Sequence, residues 1–306
     1  MREAQVSERM ITINEFLDNV LADFREYVDN QDKLCDLLDA HFDGGKVPDY
    51  STKPIQQLYL LRYAYAYAFE YKCMYRELSK RINLGKQLKV TSIGCGNRLD
   101  YWSLVHAIGQ NCSIQYIGLD KIDWSYRFKA RSGDIARTSI YNAVDAFFEA
   151  GNFSSDIYIF PKSISEFTTE EVQTLANCFT DETIKKDTIH FMFSLRTSSL
   201  NIQSDIRKTK IFYDRLTACG FQTKDKTSSH YEINDLSQGK AIFTVDSEFN
   251  RPNEVIDYLQ DLYRRCTKIG ACTRTADCLG RLRRLPILTC KQAAWQIFTF
   301  KRQGAA

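Results

Sequence analysis

The sequence predicts an α/β protein, a mainly parallel sheet preceded by a helical region, and three stretches carry that expectation. Residues 88–120, LKVTSIGCGNRLDYWSLVHAIGQNCSIQYIGLD, read as strand, glycine turn, helix, strand and acid. Leu88, Val90 and Ile93 mark the first strand, Gly94-Cys95-Gly96 breaks it, a helix-like segment runs to about Gly109, and a second apolar run stops at Asp120. Residues 157–160, Ile-Tyr-Ile-Phe, form the compact apolar run that a central parallel strand needs, and Pro161 stops it. Residues 188–195 and 295–301 supply further strands, the last one close to the end of the sequence.

The other elements follow in chain order. Between residues 12 and 41 the apolar positions Ile13, Phe16, Leu17, Val20, Leu21, Phe24, Val28, Leu34, Leu37 and Leu38 recur at helical spacing with a break near Asp29, which two helices explain. Residues 44–48 are a loop. Lys53-Pro54 opens a helix over 54–82, with proline in the tolerated first turn and tyrosines interleaved with alanines. That helix packs between the N-terminal pair and the sheet. Residues 126–129 are expected as the third strand, with Gly133-Asp134-Ile135 as its terminal loop. Helices are expected over 139–150, 168–179 and 204–219, and strands over 221–226 and 231–233. His190, inside the 188–195 strand, is expected to be buried and neutral.

Composition narrows the class. With 306 residues, 44% of them hydrophobic, the chain can build one large domain or one domain with an appendage. The expected division is a helical region, 1–84, and a sheet domain, 85–302, that carries a basic Cys/Arg-rich insertion at about 237–290. A formal net charge of +3 is too small to imply nucleic-acid binding without a local cluster. Ten cysteines would suit a secreted disulfide scaffold. The first residues, however, lack the apolar core of a signal peptide, and no run reaches membrane-spanning length. Reduced thiols in a cytoplasmic protein with no membrane partner are therefore expected.

Glycine at the first turn lets a ligand approach the backbone, and a carboxylate at the tip of the second strand is placed to accept from both hydroxyls of a ribose. An adenosine ligand is expected there. A dinucleotide fingerprint would need a third glycine where Leu99 stands, and no G-x-x-x-x-G-K-[ST] is present, so NAD and ATP recede. The stretch resembles motifs I and II of the class I (Rossmann-like) S-adenosylmethionine-dependent methyltransferases, with Ser92 where that family usually has Asp or Glu.

The resemblance implies a seven-stranded, mainly parallel Rossmann-like methyltransferase sheet in which the last strand inserts antiparallel between the fifth and sixth. It implies S-adenosylmethionine as the methyl donor, Gly94, Cys95, Gly96 and Asp120 around it, and Asp134 at the motif III position that accepts the adenine amino proton. It further implies that Arg62, Tyr63 or Tyr67 of the preceding helix lies over the donor, and that the chemistry sits after the fourth strand, at Pro161. Amino-group methyltransferases of nucleic acids often carry [N/D]-P-P-[Y/F] there. This chain has Phe160-Pro161-Lys162-Ser163, so Lys162, Ser163, Ser165 and Glu166 are the groups left to orient a substrate, with Glu166 as a base if burial raises its pKa. Ser163 or Ser165 at a helix N-cap, with Glu166 in its first turn, is the structural alternative.

Two features of the insertion remain. Cys266, Cys272, Cys278 and Cys290 lack any C-x-x-C knuckle, so buried thiols and no metal are expected. Arg264, Arg265, Lys268, Arg274, Arg281, Arg283 and Arg284 form a basic run, ordinarily a solvated face; as a binding surface they point to a phosphate-bearing substrate such as RNA. The functional readings are thus a methyltransferase, a non-catalytic partner-binding module on the same fold, and a nucleic-acid-binding protein that uses the arginines.

Overall fold

A computed structural model describes residues 10–29, 34–39, 48–82, 85–108, 112–141, 148, 153–197, 199–234, 253–267, 271, 273, 275–287 and 292–304. Helix α1 (Ile13–Asp29) opens with a reciprocal cap in which the Glu15 N–H donates to Thr12 Oγ1 and the Thr12 N–H to Glu15 Oε2. A 3₁₀ turn, Cys35–Asp39, stands where a second N-terminal helix was expected. Helix α2 (Lys53–Ser79) is buried on nearly every side, which explains the lack of a clean polar face in its sequence.

The sheet is formed by β1 (Gln87–Ile93), β2 (Ser113–Asp120), β3 (Ile135–Ile140), β4 (Ile157–Phe160), β5 (Thr188–Leu195), β6 (Phe221–Gln222), β7 (Tyr231–Asn234) and β8 (Gln292–Arg302). Its order is β3-β2-β1-β4-β5-β8-β6, with β7 also paired to β8. Strands β1 to β5 pair in parallel, while β8 runs antiparallel to β5 and to both short strands. Strands β6 and β7 are two pieces of one lane along β8, meeting it at Lys301–Arg302 and at Gln292–Trp295 respectively. In the gap between them Asp225 Oδ2 accepts the Thr299 N–H, and the Gln296 amide donates to the Thr227 and Ser229 carbonyls. Eight strands therefore occupy the expected seven lanes.

The third strand departs from expectation. Residues 126–129 have no strand structure, and β3 begins at Ile135. The loop from β2 instead crosses beneath the glycine turn, where the Phe128 N–H donates to the Asn97 carbonyl. Most of the helix expected over 139–150 lies outside the described residues, as do residues 44–47.

Helix α3 (Leu99–Ile108) joins α1 and α2 on one sheet face, in a core that includes Leu58, Leu61, Trp102, Val90, Tyr116 and Ile159. Helices α4 (Thr169–Asn177) and α5 (Ser199–Ala218) cover the other face, around Tyr158, Phe160, Phe191, Phe193 and Phe212. Alternate burial explains both cores, since successive residues of β4 and β5 point to opposite faces and nearly all are apolar. Helix α1 shares the first core with the sheet, through Phe16 stacked on Phe128 at 4.1 Å and the Trp102 indole donating to the Ile11 carbonyl.

The basic segment forms α6 (Asn253–Asp261), a 3₁₀ turn and α7 (Thr275–Leu282). Its Cys266 and Cys278 are buried, while Cys272 and Cys290 lie outside the described residues. Among the described residues no cluster of His, Cys, Asp or Glu could hold a metal ion. No helix among them is long and apolar enough to cross a membrane. His190 is buried beside Thr299 Oγ1, and burial lowers its pKa to about 4, leaving it neutral.

Candidate functional site

Connections from β1 and β4 leave the sheet in opposite directions, so a crevice opens between their carboxyl ends, where ligands of open α/β sheets bind. A cavity of about 570 Å³ lies there, lined by the turn after β1, the end of β2, the loop after β4, the start of α4, one face of α2 and residues 48–50. That volume is in the roughly 300–1,000 Å³ range of small-molecule sites.

The glycine turn is held from below. The N–H groups of Gly94 and Cys95 donate to the Leu119 carbonyl, and that of Gly96 to Asp120 Oδ2 at 2.7 Å. Asp120 Oδ1 accepts the Ile122 N–H at 2.8 Å, so this carboxylate fixes both loops at the crevice. Burial raises its pKa, against those two backbone donors. Gly94 has φ +72°, and a Cβ there would lie 2.4 Å from Ser163 Cβ. Only glycine lets the β1 and β4 loops touch. Ser163 Oγ donates to the Ile93 carbonyl and completes that junction.

Cys95 is buried under the turn, with its Sγ filling the space that a Cβ on Gly118 would enter at 2.5 Å. Burial raises its thiol pKa well above the usual value, and a protonated, enclosed thiol is a packing group, not a nucleophile.

Two polar residues of this cavity were not anticipated. Asp100, in the first turn of α3, is wholly buried, and Tyr116 Oη donates to its two oxygens at 2.9 and 3.1 Å. Burial pushes its pKa up to about 6, with Ser92 and Tyr116 opposing the rise. A carboxylate thus stands next to Ser92 although the strand itself offers none. Asn97 is also buried, and its Nδ2 has no hydrogen-bond partner among the described residues. An orphan donor in a cavity wall is the kind of atom a ligand satisfies.

The loop after β4 divides its roles. Lys162 has φ +57°, and its Nζ is 2.9 Å from Glu70 Oε2 and donates to the Leu195 carbonyl. Ser194 Oγ donates to the other Glu70 oxygen. Lys162 is therefore tied to α2 and β5, and Ser163 to β1. Each is thus held in place by partners in the fold, which leaves one N–H of Lys162 and the acceptor lone pairs of Ser163 Oγ unused. Ser163 does stand at the N-cap position of the short 3₁₀ turn Ile164–Glu166, with Glu166 in its first turn, but its side chain makes no capping hydrogen bond there. The cap of α4 is Thr168, reciprocally bonded with Glu171.

Glu166 keeps a carboxyl free. It lines the cavity and accepts no hydrogen bond among the described residues. Burial pushes its pKa up to about 7, with Arg196 opposing and Asp120 adding to the rise. The protonated form is therefore favoured in the folded chain, and the stability this group contributes is full below its unfolded pKa and is lost as pH rises through about 7. Glu166→Gln should then stabilise the protein by about 1–3 kcal/mol at pH 8.5 and leave it unchanged near pH 4.5. Urea melts at the two pH values measure this, and an increment independent of pH would contradict the burial of Glu166.

Helix α2 presents Tyr59, Tyr63, Tyr67 and Tyr71 at successive i+4 positions, one stripe along one face. Tyr59, Tyr67 and Tyr71 line the cavity; Tyr63 stacks on Tyr67 at 5.6 Å behind them. Tyr50 and Trp124 close the wall, with ring centroids 5.1 Å and 5.5 Å from Tyr59. Arg62 points the other way, donating to the Arg281 carbonyl at the end of α7.

Asp134 is not at the cavity. It precedes β3, and so sits at the amino end of the strands, where it accepts from the Ile114 N–H, Tyr101 Oη and Arg131. The carboxyl end of β3 is at Ile140. The third strand begins about nine residues later than the sequence suggests, so Asp134 comes before it and not after it.

The chain matches no protein-family model and no curated protein sequence. Solved structures do resemble it. A SAM-dependent methyltransferase from Archaeoglobus fulgidus is 12% identical over 76% of this chain and 94% of its own, with a TM-score of 0.37. Human N-acetylserotonin methyltransferase in complex with SAM is 14% identical over 70% and 64%, at a TM-score of 0.37. The cyclopropane synthase MmaA2 from Mycobacterium tuberculosis is 9% identical over 91% and 98%, at a TM-score of 0.38. Likeness this distant adds nothing to the connectivity of the sheet. With its central β1–β4 crevice and the antiparallel β8 inserted between β5 and the split β6/β7 lane, the chain has the Rossmann-like fold of the class I S-adenosylmethionine-dependent methyltransferases.

Proposed function

We propose that this protein is a methyltransferase that binds S-adenosylmethionine in the crevice between β1 and β4. The observation that carries the reading is the single cavity that joins the Gly94–Gly96 turn and Asp120 to two buried polar side chains, Asp100 and the orphan Asn97. These residues fit the donor. Asp120 spends one lone pair of each oxygen on the backbone and has the others for ribose hydroxyls. Asn97 Nδ2 would donate to the donor's carboxylate, and Asp100 would take its ammonium in place of the acid missing at position 92. Bound there, the donor supplies an electrophilic methyl group on a positive sulfur. The protein's part is to hold the acceptor in line and to exclude water.

The non-catalytic reading drew on Ser92 and on the absent amine-binding motif. Asp100 weakens the first ground, because a carboxylate is still present in the cavity. The nucleic-acid reading finds little support in the arginines. Arg281 donates to the Leu38 carbonyl, Arg283 lies over the Tyr263 ring at 4.1 Å, Arg264 pairs with Asp261, and Arg265 pairs with Asp29 over the Tyr258 ring. None of these four, nor Arg284, lines the cavity. Lys268 and Arg274 lie outside the described residues. Free thiols such as Cys95 suit a cytoplasmic setting.

Asp100→Asn tests the donor site with little change of shape. Titrated with S-adenosylhomocysteine, the variant should bind about 10–100-fold more weakly than the wild type, the loss expected for a hydrogen bond to a charged group. An unchanged isotherm in a normally folded variant would remove Asp100 from the site. Transfer of labelled methyl to cell extract, with RNase and protease arms, then separates small-molecule from macromolecular acceptors and an enzyme from a silent module.

A further inference from the structure

Donor binding does not explain the aromatic wall of the cavity. The rings of Tyr50, Tyr59, Tyr67, Tyr71 and Trp124 line it, with Trp124 reaching to 3.6 Å from where a Cβ on Gly96 would lie, and the Glu166 carboxyl lies among the lining groups. A face of electron-rich rings attracts a cation, and does so more strongly when the site is dry. Carboxylates dominate the whole cavity lining, where Asp49, Glu170 and Glu171 join Glu166 at the mouth. The bases there are Lys121 and Lys162, and Lys162 is already neutralised by Glu70. Such a field repels phosphate and concentrates cations.

We infer that the acceptor is a small organic amine, bound as a cation with its charged nitrogen between the tyrosine stripe of α2 and the Glu166 carboxyl. The inference rests on the methyl-transfer reading for the word acceptor, although the cation site stands on its own geometry. A bound ammonium would donate an N–H to Glu166, a cavity carboxyl that accepts no hydrogen bond among the described residues; Glu170, also without one, is exposed at the mouth. When the N–H bond breaks and its proton passes to a Glu166 oxygen, an ammonium and a carboxylate become an amine and a carboxylic acid. The nitrogen then keeps the lone pair that a methyl acceptor needs. The raised pKa of Glu166 suits that exchange; burial and the nearby Asp120 raise it, while Arg196 after β5 and Lys121 after β2 oppose the rise. A small molecule is favoured over a lysine side chain of a protein because Tyr50 and Trp124, with ring centroids 5.3 Å apart, both pack against Tyr59 and narrow the space beside the stripe.

The test is calorimetric titration of the full chain with phenethylamine, its neutral analogue 2-phenylethanol and the anion phenylacetate, with S-adenosylhomocysteine titrated in parallel. The expected result is at least tenfold tighter binding of the amine than of the alcohol, and no binding of the anion. Glu166→Gln should bring the amine down to the affinity of the alcohol. Tyr59→Leu should weaken amine binding severalfold, and Tyr59→Phe, which keeps the ring, should not. Equal binding of amine and alcohol by the wild type, or no binding of either, overturns the inference. If S-adenosylhomocysteine binds in that experiment, the donor reading survives; an amine preference without S-adenosylhomocysteine binding has the opposite meaning. A lysine-containing peptide that binds more tightly than phenethylamine would overturn the small-molecule assignment.

Discussion

Gly94→Ala should lower stability by about 2–5 kcal/mol and abolish measurable donor binding. Two costs add. A non-glycine residue in the left-handed region costs roughly 1–2 kcal/mol, and forcing a Cβ to within 2.4 Å of Ser163 Cβ requires the two loops to part, an overpacking strain of about 1–3 kcal/mol. Ser163 cannot rotate clear, because the clash is with its own Cβ, and its hydroxyl is held by the Ile93 carbonyl. The same separation widens the crevice in which the donor is proposed to lie. Urea melts and S-adenosylhomocysteine titration measure both effects. A variant that melts and binds like the wild type would show that the two loops do not meet as described.

The second large effect concerns the ion pair behind the cavity. Lys162→Met keeps the length of the side chain but leaves Glu70, whose side chain is 3% exposed, without its cation. Burial already raises the Glu70 pKa, with Lys162 and then Ser194 opposing. Removing the main opposing group raises it further, so the variant should lose about 3–5 kcal/mol near pH 8. It should recover part of that loss as pH falls and Glu70 takes up a proton. Adding Glu70→Gln should restore most of the stability at pH 8, because no uncompensated charge is left. Urea melts of the single and double variants across pH 5–8 check this. Additive losses in the double variant would mean that Lys162 and Glu70 stabilise the fold independently.

Much of this architecture was legible in the residues. The βαβ unit from Leu88 to Asp120 and the apolar run at β4 stood out because their burial patterns are simple and their punctuation, Gly94, Gly96 and Pro161, has direct steric meaning. Strand β3 was hidden. It is an edge strand with Ile135 and Ile140 exposed, and its sequence, Ile-Ala-Arg-Thr-Ser-Ile, has none of the apolar density that marks a central strand. Asp134 followed it into error. The two pieces of the sixth lane were legible as short strands at 221–226 and 231–233; their sharing of one lane along β8 was not, since Asp225 and Gln296 bridge the gap with side chains.

At the site, Gly94, Cys95, Gly96, Asp120, Pro161, Lys162, Ser163 and Glu166 do line one cavity. Their roles differ from what residue type alone suggests, because Lys162 and Ser163 are held in place by partners far away in sequence. Asp100 and Asn97 were missed for the same reason, as burial of a polar residue early in a helix depends on what covers it. Of the tyrosine stripe, the sequence offered Tyr63 and Tyr67 but not Tyr59 and Tyr71, although the spacing was there to be read. Four tyrosines at positions 59, 63, 67 and 71 are spaced four apart, and such spacing puts them on one face.

The central claim is the location of the donor site. Ultraviolet crosslinking of radiolabelled S-adenosylmethionine to the wild-type protein, followed by peptide mapping, tests it most directly. Label should appear on peptides that contain the 94–100, 120–124 or 161–166 segments, and excess S-adenosylhomocysteine should suppress it. Saturable label confined to the arginine-rich α6–α7 segment, or the absence of any label that S-adenosylhomocysteine suppresses, would contradict a donor site between β1 and β4.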